Sequence, residues 1–258
     1  MITVQNLNKS YGQHQSLTNI DITFPSRALT SLIGPNGAGK STLLTIMARW
    51  LEYDTGHILL GGRNITDISI ADYAKQVATL GQTPNFNLRL TVEQLVAFGR
   101  FPHNRGRLHA KDKHAIDDAI DFLSLDALRH CYLDQLSGGQ RQMAFLAMVI
   151  AQQTDVLLLD EPLNNLDMKH AVQLMRALRR LCDEQGRTVI LVIHDINFAA
   201  NYSDHIVALK QGHLCFSGNV EHSISEEKLR DLYDLDFVIQ RNEQGCICNY
   251  FNPTGALR

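Results

Sequence analysis

The chain has 258 residues, of which 45% are hydrophobic and 20% charged, enough apolar material for a sizeable core without metals or disulfides. Lys and Arg number 24 against 27 Asp and Glu, a formal net charge of −3 at pH 7, so no global basic field exists to recruit nucleic acid or anionic lipid. The most apolar runs, residues 144–151 and 188–193, fall far short of the about 18 apolar residues a membrane span needs, and Met1–Gln5 lacks a basic start leading into an apolar stretch, so a cytosolic chain is expected.

Short apolar patterning over Ile2–Val4 and Ile20–Phe24, with turn signals at Tyr11-Gly12 and Pro25-Ser26, predicts opening antiparallel strands. Leu29–Ile33 reads as an apolar strand running into a glycine-rich turn. A helix is predicted over Lys40–Leu51, where Leu43, Leu44, Met47 and Leu51 recur at helical spacing. His57–Leu60 followed by Gly61-Gly62 reads as a strand and turn. From about 82 to 153 helical patterns dominate, at Val92–Phe98, Lys111–Leu123 and from near Gly138, punctuated by Pro84, Pro102 and Gly106. Asp155–Asp160, a helix of about Met168–Glu184 and Thr188–Ile193 restore a strand–helix–strand order, which implies a parallel sheet buried on both faces. A hairpin is expected around Gln211-Gly212, joining His205–Leu209 to Leu214–Ser217. A last helix begins at Ser223–Glu226 in capping-box form, and Glu243–Tyr250 suggests a small terminal strand. The five cysteines, Cys131, Cys182, Cys215, Cys246 and Cys248, are odd in number and scattered, which fits reduced thiols. Cys246 and Cys248 fall on one face of that terminal strand, with no second ligand pair to make a metal site.

Two motifs carry chemistry. Gly34-Pro35-Asn36-Gly37-Ala38-Gly39-Lys40-Ser41, with Thr42 behind it, matches the nucleotide phosphate loop in full and lies between an apolar strand and an amphipathic helix. Its glycines let the backbone turn successive N–H groups toward phosphate oxygens, and the helix adds its positive N-terminal end. Lys40 is expected on the β- and γ-phosphates and the Ser41 hydroxyl on Mg²⁺. The run Val156–Leu159 then stops at Asp160-Glu161, so a buried parallel strand delivers two carboxylates to its carboxyl edge, where nucleotides bind. Asp160 is the candidate Mg²⁺ ligand and Glu161 the general base that polarises the attacking water. His194 ends the next strand, placed to orient that water or to sense the γ-phosphate.

Leu136-Ser137-Gly138-Gly139-Gln140, between the phosphate loop and the acidic pair, resembles the signature motif of ABC transporter ATPases. Around it, Gln82 resembles the Q-loop glutamine, 162–167 the D-loop, His194 the switch histidine and Tyr11 the aromatic that stacks on adenine. The resemblance covers about residues 2–235. It implies an α/β phosphate-loop cassette with a mostly parallel core sheet, an antiparallel β subdomain and an inserted helical subdomain, all one nucleotide-binding domain with a short tail after about 220. Gln82 joins the catalytic set and the Mg²⁺ ligands, and Ser137, Gly138, Gly139, Gln140 and Asp167 join the ATP contacts, because in the family the signature of one copy closes over the ATP held by another. The implied partners are a second copy, integral-membrane permease subunits and, indirectly, a substrate-binding protein, with the chain at the cytoplasmic face of the cell membrane.

The segments 99–103 and 162–170 further resemble importers of iron–siderophore complexes, with haem or vitamin B12 as alternative cargo. The Asn164-Asn165 pair departs from the usual D-loop, and Met143 stands where many relatives carry arginine. ABC ATPases of DNA repair or the ribosome generally carry two cassettes, long insertions or basic patches, none of which is seen here.

Overall fold

Short apolar runs and alternating ones resolve here into different kinds of strand. The computed structural model describes residues 1–12, 14–81 and 89–251. The chain divides into two compact units, Met1–Ile65 with the chain from Ile190 onward, and Thr66–Val189. The first unit opens with β1 (Ile2–Tyr11), β2 (His14–Phe24), β3 (Leu29–Ile33), α1 (Lys40–Met47), β4 (Thr55–Leu60) and β5 (Arg63–Asn64). The second contains α2 (Ile70–Tyr73), β6 (Val77–Leu80), α3 (Val92–Phe98), α4 (Phe101–Asn104), α5 (Ala110–Phe122), α6 (Gly138–Ala151), β7 (Val156–Asp160) and α7 (Met168–Asp183). Strand β8 (Thr188–Val192) begins in the second unit and ends in the first. The first unit then resumes with α8 (Ile196–Tyr202), β9 (His205–Lys210), β10 (His213–Asn219), α9 (Val220–Ser223), α10 (Glu226–Tyr233), β11 (Val238–Asn242) and β12 (Gly245–Asn249).

In the first unit β2, β1, β4 and β5 form an antiparallel sheet in that order, with Ile2 opposite both Phe24 and Leu60. Strands β3 and β9 pair in parallel, Thr30 beside His205 through Ile33 beside Ala208, and the Ile193 amide past β8 donates to the Leu32 carbonyl at 3.2 Å. Every residue of β3 is buried, as a strand covered on both faces requires. The β9–β10 hairpin turns on Gln211 and Gly212, both left-handed at φ 50° and 78°, the geometry that matches strand twist across a two-residue loop.

In the second unit β6 and β7 pair in parallel from Val77 beside Val156 to Leu80 beside Leu159, and the Thr188 amide donates to the Asp155 carbonyl. Helices α3 and α5 pack on α6 through Val92, Leu95, Val96, Ala115, Ile116, Ala119 and Ile120. Gly99 lies so close to the Met148 carbonyl oxygen that any Cβ would collide with it. Helix α7 buries Ala171, Leu174, Met175, Leu178, Leu181 and Cys182 at three- and four-residue spacing, with Arg179–Asp183 and Arg180–Glu184 pairs on its outer side.

Two local expectations differ from the structure, and one strand was not expected. Helix α1 ends at Met47 rather than Leu51, because Arg49 turns left-handed at φ 59° and sends its amide to Ile46. Ser223 closes α9 instead of capping the next helix; Ser225 is the cap, accepting from the Lys228 amide at 3.3 Å. Strand β6 escapes the pattern search because four residues carry too little periodicity; pairing with β7 supplies what the local sequence lacks. The terminal strand is present as β12, paired antiparallel with β11, and Cys246 and Cys248 share its buried face as free thiols.

Candidate active site

The candidate residues are divided between the two units. In the first, β3 carries the chain into Gly34, whose φ of 142° excludes other residues and whose Cα meets the Leu209 carbonyl too closely for any Cβ. Gly39 is left-handed at φ 95°, and a Cβ there would stand 2.7 Å from both Leu17 Cδ2 and the Ser16 carbonyl oxygen. The Ala38 amide donates to the Pro35 carbonyl at 3.2 Å, which closes the loop on itself. Gly39 occupies the N-cap of α1, and no side chain caps the helix. Its first amides therefore face the concave side of the loop, the arrangement that receives an anion.

Lys40 is 5% exposed, and its ammonium donates to the carbonyls of Gly34 and Pro35 at 2.8 Å each. Pro35, Ser41 and Thr42 are half-buried, while Asn36 and Gly37 stand exposed at the loop's tip. The Ser16 hydroxyl donates to Thr42 Oγ1 at 3.2 Å and ties the helix start to β2. Because Ile193 lies beside Leu32, the exposed His194 emerges at the same sheet edge as Gly34. Asp195 caps the following helix through the Asn197 and Phe198 amides, which fixes the chain direction just past His194. Tyr11, paired with His14 at the end of β1, is 49% exposed with Lys9 Nζ 5.4 Å above its ring. Its ring is thus presented at the surface, as stacking on a base would need.

In the second unit, β7 is buried over Val156–Leu159 and partly exposed at Asp160, so the apolar strand ends where its carboxylates begin. Glu161 is left-handed at φ 50°, a conformation that costs a non-glycine residue about 1–3 kcal/mol and that clusters at functional positions. Its carboxylate accepts a hydrogen bond from the Asn164 side-chain amide, so the unusual Asn164 orients the candidate base. Its type at three residues past Glu161 was visible in the sequence, but the turn that brings it back was not.

Asp167 caps α7, accepting from the His170 amide and from His170 Nδ1, each at 2.8 Å. Those two bonds hold its carboxyl below the usual carboxylate range. Ser137 caps α6 in a full capping box, accepting from the Gln140 amide at 3.2 Å while Gln140 Oε1 accepts from the Ser137 amide at 3.0 Å. Gly138 is exposed, whereas Gly139 is buried with its Cα against the His170 ring, too close for any Cβ. Gln142 Nε2 donates to the Pro162 carbonyl at 3.1 Å. The signature helix and the D-loop are therefore joined at two points, one of them through His170, which only the packing reveals. Met143 is buried in the same helix. Gln82 lies outside the described residues.

The model of the ABC transporter family matches residues 17–164. The chain belongs to the ABC transporter family. This cassette is 48% identical to the petrobactin import ATP-binding protein YclP of Bacillus subtilis (strain 168), over 98% of this chain and 100% of the relative. It is 39% identical to the iron(3+)-hydroxamate import ATP-binding protein FhuC of the same organism, covering 92% of this chain and 89% of the relative. The ferric enterobactin transport ATP-binding protein FepC of Escherichia coli (strain K12) is 35% identical over 91% and 88%. Among solved structures, a dimeric bacterial ABC transporter cassette aligns at TM-score 0.75 and 26% identity over 85% of this chain and 99% of its own, as does its post-hydrolysis state bound to ADP and Pi. An ABC transporter in an inward-facing conformation shares the fold at TM-score 0.83, with 22% identity over 97% and 98%. The expected fold class is thus borne out, and the protein is an ATP-binding, ATP-hydrolysing cassette of this family.

Proposed function

We propose that this ATPase drives import of iron–siderophore complexes through separate membrane permease subunits, as one nucleotide-binding domain acting in a pair at the cytoplasmic face. The observation that carries the cargo reading is near-full-length similarity to a petrobactin import ATP-binding protein at 48% identity. Among the described residues, no helix is long and apolar enough to cross a membrane, so the import path is assigned to other chains.

ATP is bound by the phosphate loop Gly34–Thr42, with Tyr11 against the adenine and Lys40 exchanging its loop carbonyls for phosphate oxygens. The Ser41 hydroxyl and Asp160 carboxylate are hard oxygen donors suited to Mg²⁺, together with Gln82. Bound there, Mg²⁺ would supply positive charge to offset what develops on the phosphate oxygens during transfer. Glu161 takes the proton of the attacking water, and His194 orients that water. Ser137, Gly138, Gly139 and Gln140 offer a helix N-terminus to the γ-phosphate of the ATP held by the partner copy, while Asp167 links the two sites. The γ-phosphate supplies the differential affinity that closes the pair, and its hydrolysis releases it.

The second unit carries an apolar groove of about 400 Å³ lined by Leu90, Gln94, Phe98, Phe101, Asn104 and Leu108. Phe98 and Phe101 are 54% and 59% exposed at its rim, which suits it to a permease helix. The reading is tested by steady-state ATPase activity of the chain reconstituted with its permease and a binding protein loaded with ferric siderophore. Stimulation by the iron-loaded binding protein alone is expected. Stimulation by haem or cobalamin carriers, with none from ferric complexes, would leave the ATPase and overturn the cargo.

A further inference from the structure

The phosphate loop begins with a backbone amide that the sheet does not use. Gly34 is buried and lies one residue past β3, yet its N–H donates to the hydroxyl of Tyr233, 3.2 Å away and at the far end of α10. A buried amide needs a partner, and this one comes from a segment that carries no nucleotide motif.

The hydroxyl is held in place from several directions. The Tyr233 ring packs against Phe237 with centroids 6.0 Å apart at 45°. Lys210, next to the Leu209 whose carbonyl touches Gly34, donates from Nζ to the Asp231 carbonyl at 2.7 Å and to the Asp234 carboxylate at 2.8 Å. These bonds pin the last turn of α10 to the end of β9. Burial pushes the Tyr233 hydroxyl up to about 12, against the pull of the Gly34 amide, so its oxygen stays protonated as a neutral acceptor. The terminal hairpin is fastened to α8, the helix just past His194. The Cys246 and Cys248 amides donate to Asn201 Oδ1 and Asn197 Oδ1 at 2.8 Å each, and Asn201 Nδ2 donates to the Cys246 carbonyl at 2.7 Å. The tail is thus bonded to the chain at both the loop's first residue and the helix that follows the switch histidine.

We infer that Tyr233 is a positioning residue for ATP: its hydroxyl fixes the Gly34 amide and thereby the curvature of the phosphate loop, making the C-terminal tail part of the nucleotide site. The inference rests on the placement of ATP at Gly34–Ser41. A loop preformed around the phosphates helps ground state and transition state alike, so its loosening raises KM with kcat retained.

The full-length Tyr233→Phe variant removes one oxygen and keeps the ring packing. Titration with a fluorescent ATP analogue and steady-state ATPase kinetics should show affinity and KM weakened about fivefold, the effect of one neutral hydrogen bond, with kcat within twofold of the parent. Lys210→Met, which frees the end of α10 without touching the hydroxyl, should move KM in the same direction and serves if the first variant does not fold. Unchanged nucleotide affinity in both variants, or a fall in kcat or melting temperature with KM constant, would assign Tyr233 to packing alone and overturn the inference. Lys40→Met is the reference: it should lose nucleotide binding outright. If it binds normally, the placement of ATP on the loop is itself wrong, an outcome distinct from a failure of Tyr233 alone.

Discussion

Glu161 shows how one residue's backbone and side chain serve the same end. The strand before it is straight and buried, and the left-handed turn at Glu161 redirects the chain so that Asn164 returns to its carboxylate. The amide of Asn164 thereby helps set the orientation of the candidate base. Replacing Glu161 by Gln preserves shape and the Asn164 contact but removes basicity. Hydrolysis should fall about a hundredfold or more while ATP affinity stays near the parent value, as read by steady-state turnover beside equilibrium nucleotide binding. Normal turnover in that variant would remove Glu161 from its role.

Elements are held in register by buried polar groups as much as by apolar packing. Arg100, 5% exposed between α3 and α4, donates to Asp112 Oδ1 of α5 at 2.9 Å, to the Ala151 carbonyl at 2.7 Å and to Gln153 Oε1 at 3.0 Å. One guanidinium therefore clasps three helices around the groove residues Phe98 and Phe101. Burial raises the Asp112 carboxyl, but the His109 amide, the Arg100 guanidinium and Asn104 together hold it below the ordinary carboxylate value. A lowered folded-state value means this stabilisation is present above the usual carboxylate range and is lost as pH falls through it. Arg100→Met strands a buried carboxylate and should cost about 3–5 kcal/mol, measured by urea unfolding. The double variant with Asp112→Leu should recover much of that loss near neutral pH. No recovery would mean the cost lies in the two bonds to Ala151 and Gln153 instead.

For the whole molecule, the signature helix presents its N-terminus outward, with Ser137 and Gly138 exposed. The capping box satisfies Ser137's own amide while the helix start stays exposed, which suits the proposed approach of a phosphate held by the partner copy. Ser137→Arg should abolish hydrolysis while each chain still binds ATP, since the obstruction falls between copies. The comparison is ATPase rate against equilibrium ATP binding on one preparation. If both survived, the signature would not be closing over the partner's nucleotide.

The sequence by itself determined the phosphate loop, the acidic strand end, the signature segment and nearly every long element, because each is written in adjacent residues: glycines where φ is positive and apolar runs where both faces are covered. It also carried the family, since the order of those motifs along the chain survives without any knowledge of contacts. Only the tertiary structure decided what joins residues far apart. Strand β6 exists because β7 lies beside it, Gly139 is small because His170 fills the space of a side chain, Arg100 is buried because Asp112 neutralises it, and Tyr233 reaches Gly34 across 199 positions. No local periodicity encodes such pairs. Their energy comes from satisfying buried polar groups and filling space, which depends on where the fold places both partners.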